Sequence, residues 1–423
     1  MHRSIALHLA LLGALTACES KKPAPASTSS TGSPSAEPPA AASSAPSAGS
    51  SAPAAGSSAP AAVTPPSPVG SWHALTTLPA GGDSPHVIAL SDSRFLVVSR
   101  DANLHTYSGL YDLAKHSWTE VTGKVDYEAA LALTPRGVVA TGGHALEGDR
   151  TVVRLDEAAH RWVAAPDMKQ ARTGHSAASL AGGDALVIGG YAKGYLASVE
   201  RFDNKTAAWR AAAPLATARS EHTTCVLRDG RVLVSGGDGN NGEAGKLEVT
   251  VSAGGSEHAA VKQGSLGATG SAELYDPATD RWQTLPPLKI PRRHHVCVAL
   301  SDGGALLIGG LHGNGTMPVA EVERWSPTTG FTEVGSLPQP RRAAAGALLA
   351  DGRVLVTGGG GDDVSATVQT AIFDPATDTW SPGPDMHDAR QDHVVVVVGR
   401  HVVVIGGRSD SQQPVLTIEE LAP

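Results

Sequence analysis

Short apolar runs that close on two glycines recur along most of the chain. Each run is often β-branched and follows a turn such as Asp229-Gly230, so the pattern predicts a repeated β-strand. A seventh copy is altered, because Phe95-Leu96-Val97-Val98 is followed by Ser99-Arg100. The spacing is 47 to 49 residues with one gap of 73, and the pairs are Gly142-Gly143, Gly189-Gly190, Gly236-Gly237, Gly309-Gly310, Gly358-Gly359 and Gly406-Gly407.

Two aromatic positions flank a turn signal after each apolar run. A typical turn is Asp276-Pro277-Ala278-Thr279-Asp280, in which Asp bonds to its own backbone and Pro fixes φ. The aromatic residues before the turn are Tyr111, Phe202, Tyr275, Trp325 and Phe373. Those after it are Trp118, Trp162, Trp209, Trp282, Phe331 and Trp380.

This set of motifs resembles the Kelch repeat and covers residues 69–423. The resemblance implies an all-β fold, a Kelch-type β-propeller in which each repeat is one four-stranded blade. It also implies that the glycines lie where blades crowd together and that the tryptophans pack between blades. Seven repeats predict seven blades; six would require the altered first repeat not to form one. The last repeat lacks its aromatic residue, so we expect an N-terminal strand with Trp72 to complete it.

Residues 1–18 are typical of a targeting segment. Arg3 precedes an apolar stretch, Ile5–Leu15, which is too short to span a bilayer but fits a signal-peptide core. The sequence Leu15-Thr16-Ala17-Cys18 resembles the bacterial lipobox, which implies a lipoprotein anchored through lipid on Cys18; an ordinary secretory signal is the alternative. Glu19 follows Cys18, and this favours the outer membrane of the cell envelope.

Composition changes sharply after this segment. Residues 19–68 are dominated by Ala, Ser, Pro and Gly without apolar periodicity, which predicts a disordered linker between the membrane anchor and the propeller. The whole chain has a net charge of −8, which argues against a nucleic-acid partner. We expect contact with the membrane through the lipid anchor alone.

Arginine and histidine recur just before the apolar runs, three residues apart. The arginines are Arg172, Arg219, Arg292, Arg341 and Arg390, here called the repeat arginines. The repeat histidines are His175, His222, His295 and His393, with Ala344 in the remaining place, and Arg293, His294 and Arg342 add to two copies. By resemblance, these twelve residues ring one mouth of the central channel and form a candidate binding face for anions. The alternative is that they bond to loops of the neighbouring blade.

The gap of 73 residues reflects an insertion at about residues 242–267, on the same face as these segments. Its segment Lys246–Val251 alternates as a hairpin strand does. Such a loop either contributes to binding or is a tolerated surface insertion.

Residues for catalysis are not evident in the sequence. Cys225 and Cys297 fall in neighbouring innermost strands and are interpreted as core residues. The alternative is a disulfide between them in an oxidising compartment, although neighbouring innermost strands usually lie too far apart for one. His294 and His295 point to opposite faces of a strand and do not predict a metal site. We therefore expect no catalytic residues, metal or cofactor.

The sequence favours a non-enzymatic binding module. The expected partner is a protein or a glycan, and an anionic one would suit the candidate binding face. The expected state is a monomer. The alternative is a carbohydrate-active enzyme, either a sugar epimerase or mutarotase or a galactose-oxidase-like enzyme, because some bacterial Kelch propellers are similar to these.

Overall fold

The protein is described by a computed structural model. The described residues are 70–101, 103–143, 148–239, 248–249, 261–262, 267–312, 317–361 and 365–422. The signal segment with Cys18 and the linker of residues 19–68 lie outside them. Within the described ranges, no helix is long and apolar enough to cross a membrane.

The described residues form β-strands joined by turns. In chain order the strands are β1 (Trp72–Thr77), β2 (Asp83–Ser91), β3 (Arg94–Arg100), β4 (Thr106–Asp112), β5 (Ser117–Glu120), β6 (Ala130–Thr134), β7 (Gly137–Thr141), β8 (Val152–Asp156), β9 (Arg161–Ala164), β10 (Ser176–Ser179), β11 (Ala185–Ile188), β12 (Val199–Asp203), β13 (Ala208–Ala212), β14 (Arg219–Ser220), β15 (Thr223–Val226), β16 (Val232–Ser235), β17 (Asp238–Gly239), β18 (Glu248–Val249), β19 (Val261–Lys262), β20 (Gly267–Ala268), β21 (Ala272–Asp276), β22 (Arg281–Leu285), β23 (Val296–Ala299), β24 (Ala305–Ile308), β25 (Leu311–His312), β26 (Met317–Pro318), β27 (Glu321–Ser326), β28 (Gly330–Ser336), β29 (Ala345–Leu348), β30 (Val354–Thr357), β31 (Thr370–Asp374), β32 (Thr379–Pro382), β33 (Val394–Val398), β34 (His401–Ile405) and β35 (Thr417–Leu421).

Seven antiparallel sheets of four strands account for most of these strands in the described part of the chain. Their strand orders from the innermost strand outward are β2-β3-β4-β5, β6-β7-β8-β9, β10-β11-β12-β13, β15-β16-β21-β22, β23-β24-β27-β28, β29-β30-β31-β32 and β33-β34-β35-β1, here called sheets 1 to 7. Each innermost strand lies beside that of the next sheet, and β33 lies beside β2, so the sheets close into a ring. The all-β propeller expected from the repeats is confirmed.

The two ends of the described chain meet in sheet 7. Strand β1 pairs with β35, with Trp72 opposite Leu421 and Thr77 opposite Thr417. Trp72 is buried and donates a hydrogen bond from Nε1 to the carbonyl oxygen of Pro384, 2.9 Å away, at the end of sheet 6. The predicted N-terminal closing strand is therefore confirmed. Radial closure of this kind leaves the ring without an open junction.

Tryptophans after the turns contact the preceding sheet, as expected. Trp162 of sheet 2 donates to Ser108 Oγ of sheet 1 at 3.0 Å, and Trp282 of sheet 4 donates to the Ala213 carbonyl oxygen after sheet 3 at 2.8 Å. Because the ring nitrogens of these two tryptophans find acceptors across the boundary, each indole packs apolar surface and fixes the spacing of neighbouring sheets. The Nε1 atom of Trp380 is buried without an acceptor among the described residues.

The paired glycines permit close approach between neighbouring sheets. Gly237 has φ +91°, and its N–H donates to the carbonyl oxygen of Arg292 in sheet 5 at 2.9 Å. A Cβ atom there would overlap the carbonyl oxygen of Ser220. The position therefore requires both the conformational freedom and the small size of glycine.

The insertion leaves the ring at the end where the arginine segments lie. Strand β17 pairs with β14, which begins at Arg219, and also with β20 at the far side of the insertion. Within the insertion β18 pairs with β19, in agreement with the predicted alternation. The remaining residues of the insertion lie outside the described ranges.

Candidate functional site

Arg219 shows how the repeat arginines are held. Its side chain has no exposed surface, and Nη1 donates to the carbonyl oxygens of Gly236 at 3.0 Å and Ser271 at 2.8 Å. Nη2 donates to Glu273 Oε1 at 2.9 Å. The same geometry recurs in sheets 3, 5 and 7, where the pairs are Arg172–Glu200, Arg292–Glu323 and Arg390–Glu419.

Each of these glutamates also binds the segment that joins two sheets. Glu273 accepts hydrogen bonds from the backbone N–H groups of Ala216 at 2.6 Å and Thr217 at 3.1 Å. Its carboxylate therefore ties the connecting segment to the third strand and neutralises Arg219. A buried pair with all its partners satisfied is costly to break, because removing one member leaves an uncompensated charge.

Four of the repeat arginines do not present their charge to a ligand, which corrects the expectation that they line a binding face. Arg172, Arg219, Arg292 and Arg390 are fully buried, and each is paired with a glutamate on the same sheet. The fifth, Arg341, is 2% exposed and has no such glutamate among the described residues. A sequence signal for the glutamates exists, because Glu200, Glu273 and Glu323 each lie two residues before the aromatic position that precedes the turn.

Repeat histidines bond across sheet boundaries. The Nε2 atoms of His175, His295 and His393 lie 3.1, 2.9 and 2.8 Å from the hydroxyl oxygens of Thr141, Ser235 and Thr357, which directly precede glycine pairs in the preceding sheets. His222 follows a variant of this rule and lies 2.8 Å from Ser176 Oγ, since Ile188 occupies the place of the hydroxyl.

Burial makes the repeat histidines neutral. Burial, and then the neighbouring Arg172, lowers the pKa of His175 to about 3, and the same effects from burial and Arg390 lower that of His393 to about 3. Burial also holds the pKa of His222 and His295 well below the ordinary value. The expected cationic ring is therefore corrected for these residues too, because an imidazole without solvent or a carboxylate partner loses its proton.

The residue before each histidine position has an unusual backbone. Its φ is positive at Gly174 (+56°), Glu221 (+52°), His294 (+49°), Ala343 (+50°) and Asp392 (+53°). Neighbouring copies bond to each other, since the N–H of Glu221 donates to the carbonyl oxygen of Gly174 at 2.9 Å. Glu221 and His294 each keep 43% of their side-chain surface exposed. These two positions before repeat histidines therefore offer ionisable side chains to solvent, whereas the repeat arginines are buried.

A mixed cluster of aromatic and charged side chains lies at this end of sheets 3 to 5. Its members, here called the mouth cluster, are Tyr191, Tyr195, Glu221, Asp238, Arg293 and His294. Arg293 Nη1 lies 2.5 Å from Asp238 Oδ2, and His294 Nδ1 lies 3.8 Å from Glu221 Oε2. These pairs join residues of sheets 4 and 5.

The two tyrosines extend the mouth cluster to sheet 3. Their rings meet edge to face with centroids 5.6 Å apart, and Tyr191 is 38% exposed. Burial raises the pKa of Tyr195 to about 12, with further contributions from Asp238, Tyr191 and Glu221, while Arg293 opposes the shift. The phenol therefore stays protonated and donates or accepts hydrogen bonds as a neutral group. Arg342, one sheet further round, is half-buried beside Gly360.

Cys225 and Cys297 form a disulfide, which corrects the interpretation of both as simple core residues. They lie on β15 and β23 as predicted, but their Cα atoms are only 5.9 Å apart. That separation is within the range that a disulfide requires, so these two neighbouring innermost strands approach closely enough for the bond. The bond links sheet 4 to sheet 5.

A copper centre of the galactose-oxidase kind does not fit the described residues. Such a site needs a cysteine joined to a tyrosine, yet Cys225 and Cys297 are joined to each other. Tyr111 and Tyr275 occupy repeat positions in the core, and Tyr275 donates to Asp280 Oδ1 at 2.7 Å. The described ranges also contain no cluster of three His, Cys, Asp or Glu residues arranged for a metal ion.

Comparisons of fold place the chain among β-propellers. A fungal alcohol oxidase of the AA5 family, solved with copper, superposes with a TM-score of 0.64 at 17% identity, covering 84% of this chain and 76% of the oxidase. The protein YjhT superposes with a TM-score of 0.54 at 14% identity, covering 81% of this chain and 95% of YjhT. At such identities the likeness shows the fold alone.

Comparisons of sequence indicate the type of repeat. Kelch-like protein 34 of Homo sapiens is 30% identical over 174 residues, or 40% of this chain and 26% of that protein. Kelch-like protein terF of Aspergillus terreus is 30% identical over 145 residues, or 31% of each chain, and beta-scruin of Limulus polyphemus is 33% identical over 107 residues, or 24% of this chain and 11% of beta-scruin. No family model matches. The chain spans a third or less of these relatives, and the similarities support a Kelch-repeat protein.

Proposed function

We propose that this propeller is a non-enzymatic interaction module that binds a protein through the mouth cluster. The observation that carries the proposal is the exposure of Tyr191, Glu221 and His294 on one end of the ring, where the repeat arginines and histidines are occupied internally. The similarity to Kelch-like proteins supports an interaction role. The proposed binding face thus narrows to the mouth cluster and Arg342.

The chemistry of the mouth cluster suits a protein surface. Tyrosine gives a rigid, amphipathic contact area, and tyrosine and arginine are enriched among residues that dominate binding energy at interfaces. The paired charges, Arg293 with Asp238 and His294 with Glu221, offer donors and acceptors of both signs. A partner with mixed polar and aromatic character fits this surface better than a polyanion does.

The module is proposed to act in a bacterial cell envelope. The lipobox-like sequence ending at Cys18 supports attachment to a membrane, with the outer membrane favoured, and residues 19–68 would serve as the tether. The disulfide between Cys225 and Cys297 supports an oxidising compartment, since such bonds persist mainly outside the cytosol.

A carbohydrate-active enzyme is the second candidate function. Its support is the exposed pair of Glu221 and His294. The two groups are close enough to act on one bound sugar, one donating a proton to it and the other accepting a proton from it. Anomer-exchange NMR on sialic acid and related sugars tests this candidate. Exchange faster than in buffer, lost in Glu221→Gln, would favour it over the binding module.

Site-specific photocrosslinking tests the binding function. A photoreactive residue at position 191 should crosslink to an envelope protein of the encoding bacterium, and the same residue at position 229, at the opposite end of the sheet 4 hairpin, should not.

The triple variant Tyr191→Ala, Glu221→Ala, His294→Ala should lower capture of that protein at least tenfold. The matched control is Val226→Ala, Arg228→Ala, Asp229→Ala, which changes one apolar and two charged exposed residues at the opposite end. Equal capture by both variants would reject the assignment.

A further inference from the structure

Arg341 differs from the other repeat arginines in its partners. Nη1 donates to the carbonyl oxygens of Gly358 at 3.2 Å and Gln369 at 2.9 Å, as its counterparts do. Nη2 has no hydrogen-bond acceptor among the described residues, which sets Arg341 apart. Nε is buried without an acceptor, as it also is in Arg172. The side chain is almost wholly buried, and two carbonyl oxygens are its acceptors among the described residues. Its positive charge is therefore only partly compensated.

The missing partner corresponds to one replaced residue. Glu273 lies opposite Val234 in sheet 4, and the residue in that register in sheet 6 is Ala371, opposite Val356. Ala371 is fully buried. Relative to glutamate, alanine lacks a CH₂ group and a carboxylate, and these atoms together have the composition of acetate.

A second replacement accompanies the first. In sheet 4 the carboxylate accepts the backbone N–H of Ala216, the residue after Leu215. In sheet 6 the residue after Leu337 is Pro338, which has no N–H. The first of the two amides that bind the carboxylate is therefore absent in sheet 6. The groups that lose the carboxylate are the N–H of Gln339, the exposed counterpart of Thr217, and the buried guanidinium of Arg341.

We propose that Arg341 binds a small free monocarboxylate, of the size of acetate or formate, in the place that glutamate fills in sheets 3, 4, 5 and 7. The guanidinium supplies the planar donors that match a carboxylate. Among the described residues, Asp385 is the acidic residue whose charge acts on Arg341; it is exposed and makes no bond to the guanidinium. This site is separate from the mouth cluster and does not depend on its function.

Thermal unfolding with added anions tests this site in the unmodified protein. Sodium acetate and sodium formate should raise the Tm in a saturable manner beyond the effect of sodium chloride at the same ionic strength. Sodium pivalate, whose carboxylate carries a tert-butyl group, should have no more effect than chloride. Equal effects of acetate, pivalate and chloride would overturn the proposal without any variant.

Two variants localise the effect. Ala371→Glu combined with Pro338→Ala restores the internal carboxylate and its amide donor, so this protein should melt at a higher temperature and lose the response to acetate. Arg341→Met should abolish line broadening of ¹³C-labelled acetate in NMR spectra, whereas Arg342→Met, at the neighbouring half-buried arginine, should retain it. Broadening that persists in folded Arg341→Met would place acetate elsewhere and reject the site.

Discussion

His393 Nε2 lies 2.8 Å from Thr357 Oγ1, across the boundary between sheets 6 and 7. The chain contains an apolar version of this contact at the preceding boundary, where Ile308 and Ala344 occupy the corresponding positions and pack in one cluster. A polar pair at one boundary is thus replaced by an apolar pair at the other. At the boundary of sheets 3 and 4, where Ile188 stands opposite His222, Ser176 supplies the hydroxyl instead. A hydroxyl without its histidine, or the reverse, would leave a buried polar group unsatisfied.

Stability should fall as the pH drops from about 6.5 toward 5. The repeat histidines have lowered pKa values in the folded state, about 3 for His175 and His393, and ordinary values when unfolded. The unfolded state therefore binds more protons in this window, and the stabilisation present above the unfolded pKa is lost on acidification. Each histidine contributes up to about 1.4 kcal/mol per pH unit. Urea unfolding between pH 7 and pH 5 measures this dependence.

The double variant Thr357→Ile, His393→Ala isolates one of these histidines. It reproduces the Ile308 and Ala344 pair, so we expect a folded protein whose stability depends less steeply on pH. Thr357→Ile alone should destabilise the protein, because it strands the imidazole of His393. An unchanged pH slope in the double variant would show that His393 does not titrate as described.

Gly237→Ala and Gly230→Ala should differ strongly in stability. Both glycines have left-handed backbones, with φ +91° and +86°. A Cβ at Gly230 meets nothing within 4 Å, whereas at Gly237 it overlaps the Ser220 carbonyl oxygen. Gly230→Ala should therefore cost about 1–2 kcal/mol from backbone conformation, and Gly237→Ala clearly more. Equal losses in denaturant unfolding would contradict the role of close packing between sheets.

The disulfide should stabilise the junction of sheets 4 and 5. Replacing Cys225 and Cys297 with serine should lower the free energy of unfolding by about 2–4 kcal/mol, because the bond closes a loop with a sequence separation of 72 residues. Adding a reductant to the wild type should give a similar loss and should not affect the double variant. If reduction left the wild-type melting temperature unchanged, the bond would have no stabilising role.

The fold could be predicted from the sequence because its signals are local. Apolar runs, glycine pairs and turn residues define each sheet. The last repeat lacks its aromatic residue, and Trp72 before the first repeat indicated the strand that closes the ring. The burial of the repeat arginines and their pairing with glutamates could not be predicted so directly. Arg219 meets Glu273 because a third strand brings the carboxylate, 54 residues later in the sequence, beside it, and the pattern of arginines alone does not show that encounter.

The disulfide between Cys225 and Cys297 was an alternative that the sequence could not decide, for a related reason. Strand assignment placed Cys225 and Cys297 on neighbouring innermost strands, but the 5.9 Å between their Cα atoms depends on how tightly the ring closes. The mouth cluster was found in part. Arg293 and His294 were predicted, while Tyr191, Tyr195, Glu221 and Asp238 occupy positions where the repeat has no fixed residue.

The central claim is that the buried repeat arginines stabilise the ring and do not present their charge to a ligand. Denaturant unfolding of Arg219→Met tests this claim most directly. We expect a loss of about 3–5 kcal/mol, because Glu273 would be left buried without its partner. Arg281→Met, at an exposed arginine on the outermost strand of the same sheet that has no side-chain hydrogen bond or ion pair among the described residues, should lie within about 0.5 kcal/mol of the wild type. An Arg219→Met protein as stable as the wild type would contradict the claim.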